Sequence, residues 1–361
     1  MVYRKILDAM SAYVPGRSIE EVKKAYGLNE VVKLASNENP YGCSPAVAGA
    51  VMATLKEAQL YPNGYCPELR KAVGDFYGIP QNKLVFGAGT DEVIAMLGKI
   101  LINPGDECIT AEYTFSQYAA AVDSMDGKTV YVPMKDHGFD LDAILDAVTE
   151  KTKIVFIANP NNPTGSWHTA AQQDAFLKKL PSSVVAVFDE AYQEYVTADD
   201  YPDTLRDLEK YKNAVLLKTF SKVYGLASLR AGFGAMSSEM VGQIEKIRCP
   251  FNVTSQAQAA AAAAMADQNF VEESRRSNEA NRKYLTDAIE RMGFYVIPSQ
   301  GNFVMADFKR SSKELFVLLM TKGYIIRPGA PFGMDTFLRI TVGTKPQIDG
   351  FLEALAEVLT N

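Results

Sequence analysis

The sequence predicts an α/β protein: a large domain on a mostly parallel central sheet covered by helices, followed by a smaller α+β domain. Three observations carry that reading. Short apolar runs alternate with amphipathic stretches over residues 80–235, the pattern turns almost wholly helical over 237–293, and short strands flank two helices from residue 294 onward. Continuous apolar runs separated by helices are what a sheet buried on both faces demands. A length of 361 residues fits about two domains of ordinary size.

Along the chain, residues 1–36 read as an arm that packs with the small domain. Candidate strands follow at 83–86, 107–110, 129–133, 154–158, 184–188, 215–217 and 229–233. Between them, 91–101 puts Val93, Ile94, Leu97, Ile100 and Leu101 on one helical face, and 169–180 has the same period. The alanine run at 259–264 lies among helix formers and reads as one closely packed helix. Beyond it, strands at 295–297, 303–307, 324–326 and 337–341 flank helices at 313–322 and 347–359. The expected division is therefore the arm, a large domain over 37–248 and a small domain over 249–361. No repeat of about 20 to 50 residues points to a solenoid.

Composition excludes several classes of function. With 47% hydrophobic and 22% charged residues the chain is neither disordered nor fibrous. Lysine and arginine total 37 against 43 acidic residues, a net charge of −6, so nothing draws the protein generally to nucleic acid or anionic membranes. Cys43, Cys66, Cys108 and Cys249 lie far apart without a CxxC pair, and His137 and His168 are the sole histidines, which argues against a disulfide framework and a metal centre. The N-terminus has no secretory apolar core and no apolar run nears about 18 residues. A cytoplasmic protein is expected.

In a parallel sheet, ligands sit beyond the carboxyl ends of the strands, and five features fall there. Gly87-Ala88-Gly89-Thr90-Asp91-Glu92 joins a strand to a helix, where free amides favour a phosphate; read alone, it is equally a tight turn capped by Thr90 or Asp91. Asn159-Pro160-Asn161-Asn162-Pro163-Thr164-Gly165 is a constrained loop after an apolar run, either structural or shaped for a ligand. Asp189 ends a buried strand with no basic residue near it in sequence, and such a carboxylate needs a cationic or hydrogen-bonding partner; a protonated ring nitrogen of a cofactor would serve. Lys222 lies among the hydroxyls and rings of Thr219-Phe220-Ser221-Lys222-Val223-Tyr224-Gly225-Leu226, where partial desolvation would make it a nucleophilic amine rather than an ordinary surface lysine. Arg230, at the predicted start of the next strand, would add charge to a bound phosphate.

Together and in this order, these features resemble the fold-type I pyridoxal phosphate aminotransferases over essentially the whole chain, most strongly in NPNNPTG, DEAY and TFSKxYGLAxLR. The resemblance implies pyridoxal 5'-phosphate as cofactor, with Lys222 holding it covalently and shuttling a proton, and Asp189 keeping its ring nitrogen protonated. Asn162 and Tyr192 would hydrogen-bond the ring oxygen, and Tyr113 would cover one ring face. Gly89, Thr90, Asp91, Thr219, Ser221 and Arg230 would hold the phosphate. Two departures from the family pattern, Thr90 for the usual serine and Ser228 for the usual glycine or alanine, are small and leave cofactor binding intact.

The ends of the chain are similar to the histidinol-phosphate aminotransferase branch, in YVPGR from Tyr13 to Arg17, in LASNENPYG from Leu34 to Gly42 and in Tyr61-Pro62. That likeness implies a homodimer in which Tyr61 reaches the cofactor phosphate of the other subunit. Arg327 and Arg339 each follow a predicted short apolar strand, and two guanidiniums suit a phosphate dianion. Matched to the branch, they and Tyr13 would hold the substrate phosphate, and the arginines would take the carboxylates of glutamate or 2-oxoglutarate in the return half-reaction; their plain alternative is surface charge. Transamination of aromatic amino acids and decarboxylation of threonine phosphate are the competing chemistries. A ligand-sensing module of a transcription regulator is disfavoured, since the 36-residue arm is too short for a DNA-binding domain.

Overall fold

A computed structural model describes residues 3–8, 10, 12 and 16–360; Tyr13 lies outside them. The large unit is a seven-stranded sheet in the order Leu84–Gly87, Gly232–Ala235, Ala214–Thr219, Val185–Asp189, Thr152–Ala158, Glu107–Ala111, Lys128–Val132. Every pairing is parallel except those of Gly232–Ala235, which runs against both neighbours. Central strands such as Val185–Asp189 and Ala214–Thr219 are buried along their whole length, which is why they read as unbroken apolar runs. Thr90–Leu101 buries Val93, Ile94 and Leu97, and Ala170–Lys179 buries Phe176 and Leu177, in the core built around this sheet. A capping box between Thr169 and Gln172 starts the second of these helices, satisfying two otherwise orphaned amides.

The second unit is a four-stranded antiparallel sheet in the order Tyr295–Ile297, Phe303–Asp307, Phe337–Thr341, Arg327–Pro328. Its core gathers Leu285, Ile289, Val304, Leu315, Leu319, Ile340, Phe351 and Leu355 from the sheet and from helices Gln268–Arg291, Ser312–Thr321 and Lys345–Thr360. The arm joins this unit: Val32–Lys33 pairs in parallel with Tyr324–Ile325, and Val22 is buried with Met320 and Ile325.

The alanine-rich helix Ser255–Ala266 goes the other way. Ala257, Ala260, Ala261 and Ala264 share a core with Val47, Leu69, Val73 and Phe233 of the large unit, since small side chains let helices lie close. Only the next helix, Gln268–Arg291, enters the second core. We therefore propose that the large unit extends through Ala266, past residue 248 where composition alone divides the chain.

Two expectations are corrected. Arg230 does not open a strand: Ala227–Leu229 is a 3-10 turn, Arg230 takes a left-handed φ of 56°, and the strand starts at Gly232. Its antiparallel direction brings the chain in over the carboxyl edge of the sheet, and a Cβ on Gly232 would stand 2.6 Å from the Thr90 amide nitrogen. Arg339 likewise does not follow a strand but sits at the centre of Phe337–Thr341, directly opposite Arg327. Among the described residues no helix is long and apolar enough to cross a membrane.

Candidate active site

Register places Asp189 beside Ala158 on one side and Leu217 on the other, so the loops leaving three neighbouring strands open into one cavity of about 1430 Å³. Asp189, Tyr192, Thr219, Ser221 and Lys222 line it from the centre of the sheet. Gly89, Thr90, Asp91 and Arg230 line one end, Tyr113 and Asn162 the side, and Arg327 and Arg339 the edge toward the second unit. Two predicted residues are not among them. Tyr61 is 83% exposed and stacks on Phe251 with ring centroids 4.8 Å apart, outside the cavity of its own chain; Tyr13 lies outside the described residues.

Asp189 is 5% exposed. Its carboxylate accepts from the Tyr118 hydroxyl at 2.7 Å and from the Ala191 amide at 3.2 Å. Burial pushes its carboxyl up from 3.8 to about 6; the two hydrogen bonds and Lys222 oppose that rise, and Asp91 adds to it. A buried carboxylate held by neutral donors alone is a site prepared for a cation. Tyr118 was not foreseen from sequence. It stacks flat on Phe156 at 4.8 Å, which fixes its hydroxyl on Asp189.

Lys222 leaves the end of Ala214–Thr219 through a turn in which Thr219 Oγ1 accepts from the Ser221 amide at 3.1 Å. Its Nζ donates to the Ser36 carbonyl at 3.0 Å and lies 5.6 Å over the Tyr192 ring. Gly225, at φ +70°, lets this loop touch the Asn39-Pro40-Tyr41-Gly42 segment: an added Cβ would come within 1.8 Å of the Gly42 carbonyl oxygen.

At the end near Thr90, the twelve-residue helix Thr90–Leu101 presents its first amides to the cavity. Gly89 has φ +82°, and a Cβ there would meet the Arg230 guanidinium at 2.6 Å. Helix dipole, glycine backbone, the Thr219 and Ser221 hydroxyls and Arg230 make a cradle for a phosphate. Asp91 enters this set differently from what its position implies. Its carboxylate pairs with Arg230 at 3.1 Å, so the side chain orients the guanidinium while its backbone belongs to the helix start.

At the opposite edge, Arg339 is buried, donating to Asn162 Oδ1 and, at 2.6 Å, to the Ala35 carbonyl. Its guanidinium lies 5.5 Å from the Phe303 ring centre and 5.9 Å from that of Phe332, while that of Arg327 lies 5.7 Å from Phe332. Like charges directly opposite in an antiparallel pair are unfavourable, and an anion bound between them removes that penalty. The cavity thus has an end for one phosphate, an edge for a second anion, and between them an amine and a carboxylate awaiting a cation.

Comparison with known proteins agrees with this geometry. The sequence model of the aminotransferase class I and II family matches residues 29–355. Histidinol-phosphate aminotransferase of Bacillus licheniformis is 46% identical over 355 residues, 98% of each chain, and that of Bacillus subtilis is 44% identical over 361 residues, 99% of this chain and 100% of the other. The crystal structure of histidinol-phosphate aminotransferase from Sinorhizobium meliloti with pyridoxal-5'-phosphate superposes with a TM-score of 0.90 at 27% identity, covering 99% of this chain and 97% of that one. Aspartate aminotransferase of Thermus thermophilus, in its complex with maleate, has a TM-score of 0.86 at 19% identity, covering 99% of this chain and 100% of the other, a likeness of fold.

Proposed function

Because the chain belongs to the aminotransferase class I and II family, in its histidinol-phosphate aminotransferase branch, we propose that it exchanges an amino group between L-histidinol phosphate and 2-oxoglutarate. The products are imidazole acetol phosphate and L-glutamate, a step of histidine biosynthesis. The cofactor is pyridoxal 5'-phosphate. One observation supports the substrate above all: Arg327 and Arg339 face each other across two strands at the cavity edge opposite the Gly89 cradle, so the cavity offers one anion site beyond that of the cofactor.

The residues fit that cofactor. Asp189 needs a cation, and a protonated ring nitrogen provides it; the Gly89 and Thr90 amides, Thr219, Ser221 and Arg230 match its phosphate. When bound, the cofactor supplies an electron-poor ring that takes up the electron pair left when the substrate's α-proton departs. Lys222 Nζ moves that proton from the substrate α-carbon. Tyr192 and Asn162 would hydrogen-bond the ring oxygen, Asn162 from its amide nitrogen, since its Oδ1 accepts from Arg339. Tyr113 would cover one ring face. Arg327 and Arg339 take the substrate phosphate and then the carboxylates of glutamate, and Tyr13 is assigned to the substrate phosphate by its place in the sequence alone.

The active form is a homodimer in the cytoplasm. Tyr61, Leu60, Met52, Tyr65 and Phe251 are all exposed, an apolar surface of the kind two copies bury against each other, and Tyr61 on it would reach the phosphate cradle of the partner. Light scattering on the purified protein should give twice the chain mass; the mass of one chain would remove the shared site. The main test is a single half-reaction on the yellow holoprotein, with histidinol phosphate, tyrosine and threonine phosphate in parallel. Rapid loss of the visible band with histidinol phosphate, and slower loss with the others, is expected. No loss with histidinol phosphate would overturn the assignment, and carbon dioxide from threonine phosphate without an oxo acid would replace it with decarboxylation.

A further inference from the structure

We propose that Asn37 is a positioning residue that aims the hydroxyl proton of Tyr192 into the cavity, a role that rests on the transaminase reading above. Asn37 is 1% exposed and left-handed, with φ 56°. Its Nδ2 donates to the Tyr192 hydroxyl oxygen at 3.1 Å. Thr341 fixes which end of the amide faces the tyrosine. The Asn37 backbone N–H donates to Thr341 Oγ1 at 3.0 Å, and the threonine hydroxyl donates its own proton to Asn37 Oδ1, also at 3.0 Å. With Oδ1 claimed by a donor, the group turned toward Tyr192 is the NH₂, which can only donate. The Tyr192 oxygen accepts there, and its proton must leave in another direction.

The surroundings leave the cavity as that direction. Phe303 packs edge-on to the Tyr192 ring at 5.1 Å, Lys222 Nζ stands over the ring, and Tyr192 lines the cavity. Asn302 Nδ2 donates to the Asn37 carbonyl at 3.0 Å and holds the backbone in place. The two preceding residues act on the same machinery: the Ala35 carbonyl accepts from Arg339 and the Ser36 carbonyl from Lys222. Three consecutive residues therefore touch the anion-binding arginine, the amine and the tyrosine. The left-handed backbone alone would be served by glycine; the side-chain bonds are what require asparagine.

A tyrosine hydroxyl donating to the cofactor's ring oxygen favours the more anionic protonation state of the loaded enzyme and keeps the pH midpoint of its visible band low. Asn37→Gly keeps the backbone conformation and frees the hydroxyl to rotate. Asn37→Asp keeps the shape but presents an acceptor to which Tyr192 would donate instead. The midpoint should rise in both, by about one unit in Asn37→Asp, with kcat falling about tenfold and a smaller effect in Asn37→Gly. Thr341→Val, which removes the group orienting the amide, should shift the midpoint the same way. A purely structural Asn37 would lower thermal stability and leave the midpoint alone, so wild-type midpoints in both Asn37 variants overturn the proposal. Failure of wild-type enzyme to react with histidinol phosphate would strike the substrate assignment and leave this spectral test readable.

Discussion

Asp189 and Glu190 are consecutive, both 5% exposed, and turned to opposite sides of the sheet. Asp189 faces the cavity and has only neutral donors. Glu190 faces a closed interior where Lys218, itself 2% exposed, lies 3.8 Å away. Lys218 is closer to Glu194, at 2.9 Å, so one ammonium serves two carboxylates. Burial pulls that ammonium down, and Glu194 and Glu190 more than reverse it. Burial also raises Glu190 to about 7, against the attraction of Lys218, and its Oε1 accepts no hydrogen bond among the described residues. Both carboxylates are short of positive charge. The closed one can complete itself only with a proton, whereas the open one can take a cationic ligand, and that difference marks the functional side of the sheet.

The largest effects come from removing the carboxylate on the open side and the cation on the closed side. Asp189→Asn should lower kcat/KM by about 10³-fold or more, the equivalent of about 4 kcal/mol. Without cofactor the sign reverses. Asp189 has a folded pKa near 6 against an ordinary 3.8, so wild-type apoprotein loses stability as pH rises through that window, by about 3 kcal/mol, and the variant does not. Thermal melts of both apoproteins from pH 4 to pH 8 should diverge in favour of Asp189→Asn; parallel curves would show that the carboxylate is already neutralised. Lys218→Met should instead destabilise the apoprotein by about 3–5 kcal/mol in urea unfolding, because two buried carboxylates lose their one cation.

The sequence made one half of this contrast legible. Asp189 and Lys222 could be found because a polar residue closing an apolar run stands out, and parallel sheets put such ends together. Tyr118 could not, since it reaches Asp189 across 71 positions through a stacking contact that no local pattern encodes. Asn37 stood in a quoted motif, but its meaning depends on Thr341, 304 residues away. Arg327 and Arg339 were visible as charges near short strands, while their facing register follows from strand order, which propensity does not specify. The alanine run announced a helix without saying which core it joins, because small apolar residues pack equally well against either.

Glu190→Gln sharpens the comparison on the closed side at a smaller scale. Its folded pKa near 7 lies above the ordinary 4.5, so the wild type loses stability as pH rises between those values. The neutral variant should gain on wild type by about 1–3 kcal/mol from pH 4.5 to pH 8, with kcat unchanged, because Glu190 does not line the cavity. A variant whose stability tracked wild type across that range would mean that Lys218 already keeps Glu190 ionised.

The smallest effect concerns the other unbalanced charge on the open side, the arginine pair. Phe332 ends the 3-10 turn Ala330–Phe332, which the Gly329 amide anchors by donating to the Phe337 carbonyl at 2.7 Å. Its ring faces both guanidiniums. An aromatic face attracts each cation by about 0.5–1 kcal/mol and steadies two like charges until an anion arrives. Phe332→Leu keeps the apolar bulk and removes that attraction, so KM for histidinol phosphate and for glutamate should rise together, about two- to fivefold, with kcat within about twofold. Phe332→Tyr retains the ring face and should restore both values. A rise confined to one substrate would mean that the arginines work separately, and an unchanged KM for both would mean that the strand register alone holds the pair ready.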